Sequence, residues 1–107
     1  MATRAPRQFR DCFYDVLTGS ATASPGSISA TTTYSGTTIT VPGAVQGNLV
    51  LAVQYDKTQG NVHVFGEVTS ADTVTLRISN CTAGAITPTA STVYTAIVVA
   101  VNTALNI

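Results

Sequence analysis

From Thr37 onward the chain is dominated by a period of two. Thr38-Ile39-Thr40-Val41 alternates polar with apolar and stops at Pro42-Gly43, a pair that ends strands in turns. The run Asn48-Leu49-Val50-Leu51-Ala52-Val53-Gln54, with its unbroken apolar stretch, predicts a strand covered on both faces, ending in the loop Tyr55–Gly60. Asn61 to Thr69 alternates again. Val62, Val64 and Val68 share one face with Gly66, while His63, Phe65 and Glu67 take the other. Gly66 marks a bulge or a close backbone approach. After the turn at Ser70-Ala71-Asp72, Val74, Leu76 and Ile78 point inward and Thr73, Thr75, Arg77 and Ser79 outward. Asn80 to Pro88 reads as a polar loop. Thr92 to Val101 is the longest β run, and Val93, Ile97, Val99 and Val101 are assigned to one face.

Several short strands separated by turn residues predict an all-β fold, an antiparallel β-sandwich or small barrel of Ig-like or jelly-roll type. Its expected core is Ile39, Leu51, Val74, Leu76, Ile78, Ile97 and Val99, with Val62 and Val64 belonging to it. Helical periodicity is absent outside the first residues. The predicted organisation is an extended N-terminal arm over residues 1–18, then a Ser/Thr-rich linker or edge strand over 19–36. The sandwich body covers residues 37–101 and a short tail 102–107.

Charge changes this picture. Only 9% of the 107 residues are charged, against about 25% in ordinary soluble domains. Arg4, Arg7 and Arg10 cluster in the arm beside Phe9 and Phe13, and beyond Asp15 the charges are Asp56, Lys57, Glu67, Asp72 and Arg77. A free monomer keeps charge for solubility, so this scarcity points to a surface covered by other protein. Homo-oligomerisation is expected, with a trimer preferred over a dimer. Arg4, Arg7, Phe9, Arg10 and Phe13 are the candidate protein-interface residues. Three arginines would give nucleic acid only weak, salt-sensitive binding, and the adjacent aromatics favour a protein partner. Serine and threonine make up roughly a quarter of the chain, in keeping with strands whose outer faces meet water.

Candidate chemistry is sparse. His63 is the one histidine, set beside Phe65 on a strand without a second ligand in its neighbourhood. Asp56, Glu67 and Asp72 lie in or next to turns, and Asp72 is expected to bond backbone. There is no GxSxG elbow and no phosphate loop of the GxxxxGK[ST] type. The expectation is a protein that is not an enzyme and needs no cofactor or metal. Tyr55 is the best placed residue for stacking on a sugar, although packing on the rim of the sandwich explains it equally. Cys12 and Cys81 read as reduced thiols, with a disulfide from arm to body as the alternative. No run of 18 apolar residues predicts a membrane span. Met1 to Arg7 leads into no apolar signal region, so synthesis in a cytoplasm is expected.

Three stretches resemble small β modules of tailed-bacteriophage virions: Thr38 to Asn48 with its Val41-Pro42-Gly43-Ala44 turn, Val68 to Asn80 with Ser70-Ala71-Asp72-Thr73-Val74-Thr75-Leu76-Arg77, and Thr82 to Pro88. The likeness covers roughly residues 30–101 and leaves the arm outside. Asn48 stands where such modules often have Asp, which alters a turn. The resemblance implies a non-enzymatic virion structural protein, a capsid decoration or cement protein stabilising the head shell. The major capsid protein of the same virion would be its partner, and assembly would take place in the host bacterial cytoplasm. The alternative it implies is a head- or tail-fibre module that binds a host surface glycan or receptor. A fimbrial or adhesin subunit is a more distant reading, disfavoured by the expected lack of a signal peptide.

Overall fold

A computed structural model describes residues 13–101 of the chain, with side chains from 16 to 100. Six strands are present: β1 (Phe13–Ala23), β2 (Thr33–Thr40), β3 (Leu49–Tyr55), β4 (His63–Ser70), β5 (Thr73–Ser79) and β6 (Thr92–Val101). They form two three-stranded antiparallel sheets packed face to face. The first has the order β1-β6-β3 and the second β2-β5-β4. The fold is the expected all-β sandwich. Adjacent strands in sequence mostly lie in different sheets, and β4–β5 is the one hairpin among the described strands.

β5 shows why the alternation was readable. Val74, Leu76 and Ile78 are fully buried, and the residues between them are half exposed on the outer face. Fully buried aliphatic side chains of this kind each contribute about 1.5–3 kcal/mol. Ile39 and Val41 from β2 and its exit, Val68 from β4 and Val53 from β3 complete the centre, and Val62 and Val64 pack against it.

Three expectations are corrected. β1 covers Phe13–Ala23, so residues 13–18, read as arm, are strand, while residues 19–23 take the edge-strand alternative given for 19–36; β1 is an edge strand paired with β6 along its length. The core face of β6 is Thr92, Tyr94, Ala96 and Val98, whereas Val93 and Ile97 are half buried on the opposite face. Val99 is buried there too, but lies outside the core cluster. β6 is apolar on both parities, so alternation could not choose. The tyrosine goes inside because its hydroxyl finds a buried acceptor. Finally, β3 is an edge strand, and Leu51, expected in the core, is 53% exposed. The register irregularity between Val50 and Ala52 opposite β6 displaces Leu51 from the inward row.

The two sides of the sandwich differ. Where β1 meets β2, a Cβ on Gly19 would lie 2.0 Å from the Thr40 carbonyl oxygen, so the absence of a side chain is what lets the two sheets close. Where β3 meets β4, a groove remains. Its two depressions, about 330 and 380 Å³, run from Gln46 and Gly66 to Val53 and His63.

Candidate functional site

The motifs that carry the resemblance are joints of the fold. Asp72 adopts a left-handed backbone (φ 60°) and its carboxylate oxygen accepts from Gly43 N–H at 2.8 Å. Its own N–H donates to the Ala44 carbonyl at 2.8 Å, and Val41 N–H donates to the Asp72 carbonyl at 2.9 Å. The Val41–Ala44 turn and the Ala71-Asp72 turn thus lock each other across 29 residues of sequence. Asn48 closes the same loop by accepting from Val45 N–H at 2.9 Å. In the second joint Asn80 is 1% exposed. Its amide donates to the carbonyls of Ile28 and Gly84, both at 2.9 Å, and its carbonyl oxygen accepts from Thr82 N–H at 3.0 Å. Ile86 pairs with Ile28 through two backbone hydrogen bonds, and Pro88 is buried.

A third buried polar group had no sequence signal. Tyr94 O–H donates to Gln59 Oε1, and Gln59 Nε2 donates to the Lys57 carbonyl at 3.0 Å and to Thr92 Oγ1 at 3.2 Å. Thr92 in turn donates to the Thr89 carbonyl at 2.6 Å. Burial holds the Tyr94 phenol above its ordinary titration range, because a phenolate would lose its solvation there. Among the described residues no buried side-chain nitrogen or oxygen lacks a partner, which suits scaffolding.

The outer face of the second sheet is polar. Thr33 bonds Ser79 at 2.7 Å and Thr69 bonds Thr75 at 2.8 Å. Arg77 donates to Glu67 at 2.9 Å and to Ser35 at 3.0 Å. His63 stacks on Phe65 with ring centroids 5.0 Å apart. Among the described residues no cluster of His, Cys, Asp or Glu could hold a metal ion, and no helix is long and apolar enough to cross a membrane. Cys81 is an exposed free thiol.

The first sheet differs. Residues opposite one another on paired strands share a face. Its outer face therefore carries Val16, Val99 and Leu49 in one row, Thr18, Ile97 and Ala52 in the next, and Ser20, Thr95 and Gln54 beyond. None of these is charged. Among the described residues the exposed large apolar side chains are Val16, Val45, Leu49, Leu51 and Tyr55. All but Val16 lie on β3 or on the loop that leads into it. Sequence reading recognised this strand's need for cover but not that the folded chain leaves it on an edge.

Of the candidate interface residues, Arg4, Arg7, Phe9 and Arg10 lie outside the described residues. Phe13 opens β1 opposite Val101, and its side chain also lies outside them. Tyr55 closes β3 and is 44% exposed. Comparison with known protein families, with curated proteins and with solved structures finds no match.

Proposed function

We propose that this chain is a structural protein of a tailed-bacteriophage virion, a decoration or cement protein that adds buried area on the head shell. The observation that carries the reading is the exposed, uncharged apolar edge on a body with few charges: it suits a part covered by other protein. The resemblance of Thr38–Asn48, Val68–Asn80 and Thr82–Pro88 to virion β modules supplies the class, and the mutual locking of those segments supports reading them as one module. In this reading Arg4, Arg7, Phe9, Arg10 and Phe13 contact the major capsid protein, with arginines on carboxylates and aromatics as anchors. The protein acts without a cofactor and without catalysis, and repeated copies on the lattice add avidity.

Mass quantification of purified particles tests this. Hundreds of copies per particle, lost when residues 1–11 are deleted while the β body stays folded, are expected. A few copies per particle, or undiminished shell binding by the truncated chain, would overturn the decoration reading or the arm's part in it. The fibre alternative predicts few copies and retention on a host glycan.

A further inference from the structure

The outer face of the first sheet breaks its own pattern at one residue. On β6 that face carries Thr95, Ile97 and Val99, each flanked by exposed residues of β1 and β3. Thr95 and Ile97 are half buried, as a central strand between two exposed neighbours should be. Val99 is 1% exposed. Its flanks do not account for this. Val16 and Leu49 are themselves 53% and 52% exposed, and cross-strand neighbours stand beside a side chain rather than over it. Nor does the core account for it, since Val99 lies on the opposite face and outside the core cluster. A residue near the end of a strand should be the more exposed one, so something closes over this end of the face.

Where the chain leaves the sandwich indicates what. β6 ends at Val101, and Asn102-Thr103-Ala104-Leu105-Asn106-Ile107 follow it. We infer that this tail turns back over the outer face of β6 and seats Leu105 on Val99, between Val16 and Leu49. Asn102 and Thr103 suit the reversal. Backbone packed on a sheet face lies about 10 Å above it, and the four residues from Val101 to Leu105 reach about 13 Å. Leu105 is thus the first large apolar side chain of the tail that can arrive there. The first residues of the chain leave from the same end, because Phe13 pairs with Val101. They bring Arg4, Arg7 and Arg10, which this uncharged face would leave without carboxylates. They also depart from the edge strand β1 rather than from the strand that bears Val99. Tethering sets the tail apart from an apolar segment of any other chain, since a short link holds it near this face at an effective concentration on the order of millimolar. The inference is independent of the virion reading, and purified protein without shells tests it.

Thiol accessibility on the full chain is the direct test. With Cys12→Ser and Cys81→Ser in the background, Val99→Cys should react slowly with a maleimide and Leu49→Cys quickly. Adding Leu105→Asp to the Val99→Cys chain should speed its labelling at least about tenfold, because a carboxylate will not stay on an apolar face. The circular dichroism spectrum should not change. Phe9→Asp should leave the labelling rate as it was. In the wild type, which needs no introduced cysteine, Leu105 methyl protons should show nuclear Overhauser contacts to those of Val99. The inference is overturned if those contacts are absent, or if Leu105→Asp leaves Val99→Cys protected. It is likewise overturned if Phe9→Asp is the change that opens the site, or if protection grows with protein concentration, which would make the cover another copy's.

Discussion

The two sheets share one core but turn different surfaces outward. The second sheet ends in a lattice of threonine and serine hydroxyls around the Arg77–Glu67 pair, so its outer face is finished by its own hydrogen bonds. The first sheet carries Val16, Leu49 and Ala52 outward and exposed, and its β3 edge is apolar and uncharged. Water satisfies the first kind of surface, whereas the second gains from being covered. The lesson is that apolar residues on this chain serve two ends. Some hold the sandwich closed and some stay exposed along an edge, and only the folded chain tells them apart.

Two leucines break that comparison most sharply. Leu76→Ala opens a cavity under both sheets and should cost about 2–5 kcal/mol in urea unfolding. Leu51→Ala, measured at concentrations where the chain is single, should stay within about 0.5 kcal/mol of the wild type. Equal costs would mean that Leu51 belongs to the core after all. Next in size is Gly19→Ala at the closed seam. The new methyl meets backbone rather than a mobile side chain, and a loss of about 1–3 kcal/mol or more is expected from the same unfolding curves.

Tyr94→Phe leaves the buried Gln59 oxygen without its donor and should cost about 1–3 kcal/mol. It also has a pH signature. The folded phenol titrates above the unfolded one, so its contribution is complete below about pH 10. The contribution falls as pH climbs from there through the folded value, because the unfolded chain gains the phenolate first. Alkaline unfolding profiles should show this loss in the wild type, and the loss should be smaller in the Phe variant. The smallest effect is reserved for the finished face. Arg77→Ala removes an ion pair whose side chains are 29% and 61% exposed, and thermal unfolding should register less than about 1 kcal/mol.

How much of this was legible in the sequence depended on whether one strand face differed from the other. β5 was readable because Val74, Leu76 and Ile78 alternate strictly with polar residues. β6 offered apolar residues on both parities, and what decides its orientation is a partner for Tyr94 that lies 35 positions away. β1 was read only as arm and as linker or edge strand because Thr18 to Ala23 holds only small and hydroxylated residues, among them Gly19, which lets β1 approach β2 closely. β3 was recognised as an apolar strand, but hydropathy does not tell an edge strand from a covered one, and the fold leaves Leu49 and Leu51 exposed. The Asp72 turn was anticipated. Its lock on Gly43 needed the fold.

Backbone amide hydrogen exchange, followed strand by strand in dilute solution, tests the central claim most directly. Amides of Thr73 to Ser79, enclosed between β2 and β4, should exchange far more slowly on average than those of Leu49 to Tyr55 on an open edge. Equal protection of the two strands would contradict the account.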